Sequence, residues 1–117
     1  MKKKNIIVTP LYNADVYCFF TKEEYAKHHE KHIGDVDLNC IGSVNHYTNK
    51  NGYLIVMVGI FNDDIGTLAH ELVHVLSRIY LVHGIYYDTE NDEPYAYLYQ
   101  SLFLSVNQRL LEHYNKG

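Results

Sequence analysis

The feature that most constrains this chain is an apolar segment between residues 65 and 83 that carries the pentapeptide His70-Glu71-Leu72-Val73-His74. Apolar side chains surround a helix built on it almost completely: Leu68, Ala69, Leu72, Val73, Val75, Leu76, Ile79, Leu81 and Val82. This distribution predicts a central, buried helix. Asn62-Asp63-Asp64 supplies the N-cap, and Gly84 is placed as the C′ residue after His83.

The spacing of the two histidines indicates a metal site. Positions i and i+4 lie on one helix face, so the imidazoles of His70 and His74 can reach a single ion. Glu71 can then hold a metal-bound water and act as its general base. Buried polar groups without partners are costly, so three of them at ligand spacing within an apolar helix favour metal binding. The alternative is that they occupy one exposed stripe of the helix.

Zinc in a catalytic site takes three protein ligands and leaves one position for water. The extended form HExxHxxGxxH requires glycine and histidine where this chain has Ser77 and Tyr80, which excludes it. His83 follows His74 by nine residues, which is about 13 Å along a helix and too far for one ion. A carboxylate on the following helix is the remaining option.

Eighteen residues separate His74 from Glu93. A chain with HExxH followed at this distance by a glutamate on a second helix resembles the gluzincins, a class of zinc peptidases. The likeness is closest to very small members, including short zinc-peptidase-like proteins of phages and prophages. It implies that His70, His74 and Glu93 bind Zn²⁺, and that Glu71 is the catalytic base for attack of a zinc-bound water on a peptide bond.

The segment around Glu93 departs from the family pattern at one position. Larger gluzincins place an aspartate four residues after the glutamate ligand, where this chain has Tyr97. Glu90 and Asp92 compete with Glu93 as ligands, although neither keeps the family spacing. The oxyanion also requires a donor besides zinc, and four tyrosines are candidates: Tyr86, Tyr87, Tyr95 and Tyr97. We carry Tyr97 as the second catalytic candidate, because i+4 spacing places it on the helix face of Glu93.

The remaining patterns predict a single α+β domain over residues 1–117. Strands are expected at 5–12, 16–20, 41–48 and 53–61, with a turn at Asn51-Gly52. A capping box at Thr21 to Glu24 opens a polar helix to about His32, and a final helix runs from Pro94 to about Tyr114. We expect a small, mostly antiparallel sheet with the HExxH and glutamate helices packed behind it, as in a minimal zincin-like fold. The resemblance places strand 53–61 in the sheet beside the substrate cleft, where such enzymes pair with an extended substrate.

Charge and cysteine content bound the partners. The net charge is −4, and residues 51–117 carry three basic residues against eight acids, so no nucleic-acid partner is expected. No apolar run approaches transmembrane length, and no membrane association is expected. Cys18 and Cys40 form no CxxC pattern, and reduced thiols in a cytoplasmic protein are favoured. The expected partner is a protein or peptide substrate.

Two alternatives remain at this stage. A length of 117 residues leaves no second domain to wall a cleft. The chain can therefore also be a non-catalytic zinc-binding, zincin-like protein that acts as a phage-encoded regulator or partner-binding module.

Separately, His28, His29 and His32 form a second histidine cluster on the polar helix. Its lysine and glutamate neighbours favour a solvated face over a weak metal site.

Overall fold

The computed structural model describes residues 3–115, without the side chains of Lys4 and Pro10, and its elements surround one sheet. The strands are β1 (Ile6–Thr9), β2 (Ala14–Phe19), β3 (Gly42–Thr48) and β4 (Leu54–Ile60). The helices are α1 (Lys22–His32), α2 (Ile65–Val82) and α3 (Glu93–Asn115), and short 3-10 turns cover Lys3–Asn5, Pro10–Tyr12 and Thr89–Asn91. The predicted α+β class is confirmed. The first predicted strand is shorter than expected, because its end forms the Pro10–Tyr12 turn.

The sheet is mixed, which corrects the expectation of a mostly antiparallel one. Its strand order is β1-β2-β4-β3, with antiparallel pairs at both sides and a parallel β2–β4 pair between them. A parallel pair requires a crossover connection. Here α1 and β3 together form that connection. Gly52, at φ +80°, then turns the chain between β3 and β4.

β4 is the central strand, and all seven of its residues are buried. This confirms the prediction that its two apolar faces lie against other elements. Because β2 and β3 are hydrogen-bonded to its two edges, β4 has no free edge to offer a substrate. The expectation that strand 53–61 borders the cleft with a usable edge is therefore wrong, and β3 is the edge strand on that side.

The predicted caps set the helix boundaries. Thr21 Oγ1 accepts a hydrogen bond from the Glu24 amide at 3.3 Å, and Asp64 Oδ1 accepts one from the Gly66 amide at 2.8 Å. Gly84 follows α2 at φ +66°, the left-handed conformation expected of a C′ glycine. Within residues 3–115, no helix is long and apolar enough to cross a membrane.

α2 is buried on one face rather than all round. Its inward residues are fully buried against the sheet and α3: Leu68, Leu72, Val75, Leu76 and Ile79. On the outer side, Val73 is 47% exposed and Leu81 is 72% exposed. The prediction of a central helix fails because the described chain places the sheet and α3 against α2 but no further layer over its outer face.

α1 covers the opposite face of the sheet through aromatic contacts. Tyr25 packs edge-on against Phe19, and His32 stacks on Tyr47 with ring centroids 4.7 Å apart. His28 Nε2 lies 2.7 Å from the Tyr47 hydroxyl. His29, the middle residue of the histidine cluster, is buried and hydrogen-bonded to the carbonyl of Gly34. The cluster is thus largely part of the packing of α1 and not simply a solvated face.

Acid should loosen the contact between α1 and the sheet. Burial, followed by the charges of His32 and Lys31, lowers the pKa of His28 from 6.5 to about 4. Between pH 6.5 and 4 the unfolded chain binds a proton that the folded chain does not, so the free energy of unfolding falls as the pH falls. Since His28 is only half-buried, we expect its share of the loss to be on the order of 1 kcal/mol.

Urea unfolding from pH 7.5 to pH 4 measures this effect. His28→Gln should lose less stability over that window than the parent chain. Tyr47→Phe, which removes the hydrogen bond but keeps the imidazole, should retain the pH dependence. Parallel profiles for the parent and His28→Gln would contradict the assignment.

Candidate metal centre

The two histidines of HExxH adjoin each other on α2. The ring centroids of His70 and His74 are 5.2 Å apart, with their planes at 69°. Both side chains are exposed. The prediction that they share one helix face is confirmed. The pair lies on the outer side of α2, so the exposed-stripe alternative describes these two residues correctly.

Glu71 turns the other way and is 7% exposed. Its Oε2 lies 4.0 Å from Nε2 of His70, and no described residue donates a hydrogen bond to the carboxylate. Among the described residues, the buried side-chain atoms without a hydrogen-bond partner are Asp15 Oδ1 and Asn62 Oδ1, and the oxygens of Glu71 are not among them. The Glu71 carboxylate instead lines a pocket, where water or a ligand can reach it.

The carboxylate of Glu71 rests against the backbone of β3 at Gly42. A Cβ atom added at Gly42 would lie 2.7 Å from both Cγ and Oε2 of Glu71, closer than real Cβ contacts occur. Glycine within a strand commonly marks such a close approach. Gly42 therefore leaves the space that the Glu71 side chain occupies, and it is a site residue that the sequence analysis did not identify.

A second contact joins α2 to the same edge strand. Arg78 Nη1 lies 2.9 Å from Nδ1 of His46 in β3. Burial and the Arg78 charge lower the pKa of His46, which favours the neutral imidazole that can accept this hydrogen bond. This contact and the one between Gly42 and Glu71 join β3 to α2 at two positions along the helix.

A cavity of about 480 Å³ opens between the start of β3 and the N-terminal half of α2. Its walls are Cys40, Ile41, Gly42, Asp64, Gly66, Thr67, His70 and Glu71. The Glu71 carboxylate and the His70 imidazole thus share a pocket large enough for a small side chain or a peptide unit. Cys40, which is exposed and free, adds a thiol to this pocket.

Glu93, the predicted third ligand, does not lie beside the histidine pair of α2. It is the first residue of α3 and is exposed, and Tyr95 two residues later packs on Tyr80 with ring centroids 5.2 Å apart. Tyr80 follows His74 by six residues, or about 9 Å along the helix. Among residues 3–115, no three His, Cys, Asp or Glu side chains are placed to hold one metal ion. Of the three expected zinc ligands, the described fold brings together only His70 and His74. Neither Glu93 nor its competitors Glu90 and Asp92 join them.

The tyrosines predicted near the reacting atoms also lie apart from the HExxH pocket. Tyr97 is 66% exposed and lines a separate groove with Val8 and Leu11, on the β1 side of α3. The α3 tyrosine that reaches the HExxH segment is Tyr99, whose hydroxyl donates to the carbonyl of Ala69 at 3.1 Å. Tyr99 was not identified from the sequence, because its distance from HExxH matches no family spacing.

Comparison with known proteins adds no relative. The chain matches no protein-family model, no curated protein and no solved structure. The functional interpretation therefore depends on the geometry of the site and on the sequence pattern.

The contact between Gly42 and Glu71 can be tested by a double-mutant cycle. Gly42→Ala should lower the free energy of unfolding by about 1 kcal/mol or less, because the methyl group forces the flexible end of the Glu71 side chain to move. In a Glu71→Ala background the overlap is gone. The same substitution should then be neutral or slightly stabilising, since alanine loses less backbone entropy than glycine.

Chemical denaturation of the four chains gives the coupling energy, which we expect to be about 0.5–1 kcal/mol. An equal cost of Gly42→Ala in both backgrounds would show that Glu71 does not occupy this position.

Proposed function

We propose that this chain is a minimal gluzincin-like zinc metallopeptidase that hydrolyses peptide bonds. In this proposal His70 and His74 bind Zn²⁺ and Glu71 is the general base. The observation that carries it is the position of the Glu71 carboxylate, which lines a pocket together with His70 and lies 4.0 Å from the imidazole Nε2 of that residue. A general base must reach a water beside the metal ligands, and this carboxylate is placed to do so.

The chain's own residues suit proton transfer at this pocket. A zinc ion held by the two imidazoles would supply Lewis-acid polarisation of a substrate carbonyl. The Glu71 carboxylate can accept a proton from a water in the pocket, because no described donor occupies its oxygens. Its contact with Gly42 restricts its position, which favours a fixed direction of proton transfer.

The free edge of β3 supports a peptide substrate over other hydrolysable groups. Among residues 3–115, β3 pairs with β4 on one side only, and it begins at Gly42, directly beside Glu71. An extended peptide can add to such an edge through main-chain hydrogen bonds. A chain paired there would pass the pocket that holds Glu71.

Glu93 is proposed as the third ligand on its spacing from His74 alone. The described residues do not bring it to the histidine pair, and this favours a second candidate function. In that candidate the chain is a non-catalytic zincin-like protein, such as a phage-encoded regulator, which binds a partner and either binds metal through the histidine pair or not at all.

Zinc binding is the first test of the proposal. The purified chain should bind one zinc ion, and His74→Ala should weaken binding by more than the roughly 10- to 100-fold typical of residues outside the ligand shell. His83→Ala is the matched control, since His83 lies at the end of the same helix and bonds to the carbonyl of Ile79. Competition with a chromophoric chelator gives the affinities, and elemental analysis gives the stoichiometry.

The third ligand is tested in the same assay. Glu93→Ala should weaken zinc binding far more than Glu90→Ala, which removes an equally exposed carboxylate three residues earlier. Equal effects would refute Glu93 as a ligand. Absence of stoichiometric zinc in the parent chain, with no effect of His74→Ala, would refute the metal site itself.

Peptide hydrolysis separates the two candidate functions. Glu71→Gln should keep its zinc but lose about 10²- to 10⁴-fold in turnover, because the amide cannot accept the proton. Cleavage of a degenerate peptide library, read by mass spectrometry, measures this. A zinc-loaded parent chain that cleaves no peptide would favour the non-catalytic candidate.

A further inference from the structure

A cluster of exposed apolar side chains surrounds the end of α2. Its members are Leu81, Val82, Ile85, Tyr86 and Tyr87, of which Tyr86 is 90% exposed. We term these five residues the α2-end surface. Contiguous exposed apolar residues of this kind typically mark an interaction site. None of them belongs to the pocket that contains Glu71.

The α2-end surface is concave and lined by tyrosine rings. Two adjoining cavities of about 300 Å³ and 150 Å³ share walls formed by Tyr80, Ile85, Tyr86, Tyr87 and Tyr95. Tyr95 packs edge-on against both Tyr80 and Tyr87, at 5.2 Å and 5.0 Å between ring centroids. Rings already held by their neighbours lose little conformational entropy on binding, and tyrosine is enriched among the residues that dominate interface energetics.

The rim of this surface is acidic. Four carboxylates follow it directly in the chain: Asp88, Glu90, Asp92 and Glu93. In the part of the chain that the structure describes, none of the four forms an ion pair with a lysine or arginine. No lysine or arginine occurs between Arg78 and Arg109 in the sequence. The rim therefore presents negative charge that its own segment does not neutralise.

We propose that the α2-end surface docks a basic segment of a partner protein, in which lysine or arginine alternates with apolar residues. The apolar side chains would enter the two cavities. The cations would meet the carboxylate rim and the faces of Tyr86 and Tyr87, where cation–π and charge-assisted contacts are both available.

The exposed side of α1 in a second copy of this chain fits the surface less well. The exposed side of α1 carries three lysines, Lys22, Lys27 and Lys31, but also three glutamates, Glu23, Glu24 and Glu30. It therefore lacks the net positive charge that the acidic rim favours. The inference goes beyond the proposed peptidase activity, because it uses none of His70, Glu71 and His74 and shares only Glu93, the proposed third ligand, with the zinc site.

The test uses a fluorescein-labelled twelve-residue peptide of alternating lysine and leucine, and the same peptide with glutamate in place of lysine. Fluorescence anisotropy is measured with the full chain in EDTA, so that the outcome does not depend on the zinc site. The lysine peptide should bind, and its affinity should fall as salt is added. The glutamate peptide should bind at least about fivefold more weakly than the lysine peptide.

Variants locate the binding. The double variant Tyr86→Ala/Tyr87→Ala should weaken binding of the lysine peptide about fivefold or more, and Glu90→Lys should weaken it about threefold. Tyr114→Ala is the matched control, since Tyr114 is exposed on α3 away from the two cavities, and it should change nothing. Thermal melts confirm that the variants fold.

Three results would overturn the proposal. One is equal binding of the lysine and glutamate peptides. Another is an equal affinity of the double tyrosine variant and Tyr114→Ala for the lysine peptide. The third is self-association of the parent chain in sedimentation experiments that the double tyrosine variant abolishes, which would assign the surface to a second copy.

Discussion

The packing of α2 against β4 is the contact on which the rest of the structure depends. β4 is buried along its whole length, and α2 covers one of its faces with Leu68, Leu72 and Leu76. Once these inward positions are fixed, the helical period fixes the directions of the residues between them. His70 and His74 then face outward, and Glu71 faces sideways toward β3. The arrangement of HExxH is thus a consequence of core packing.

The elements were predictable from the sequence where a local signal determined them. Thr21 and Asp64 are N-caps as predicted, and Gly84 ends α2, because capping depends only on neighbouring residues. The sheet order was not predictable in this way. It depends on which strands the α1–β3 connection brings together, and the apolar side chains of strands 16–20 and 53–61 suit a parallel neighbour as well as an antiparallel one. The exposure of Val73 and Leu81 likewise depends on how many layers the chain can build.

The candidate site was likewise predictable from the sequence only where a local signal determined it. Histidines at i and i+4 meet on any helix, so the His70–His74 pair followed from spacing. The position of Glu93 did not follow from spacing, because the number of residues between two helices does not determine where the second helix lies in space. In this fold the contacts of Tyr95 with Tyr80 place the first turn of α3 near the end of α2. The contact of Glu71 with Gly42 was also outside sequence reasoning, since it joins residues 29 positions apart.

The two surfaces of α2 bear on the peptidase activity that we propose. The described residues build one side of a cleft, so in that proposal much of the binding energy for a substrate would come from outside the HExxH pocket. Leu81 follows Glu71 by ten residues, which is about 15 Å along the helix, and an extended peptide covers that distance in about five residues. One bound segment can therefore place its basic part on the α2-end surface and an extended part along the edge of β3. When one part of a segment is bound, the effective concentration of its other part at the second surface rises. Two weakly binding surfaces can therefore hold a segment that neither would hold alone.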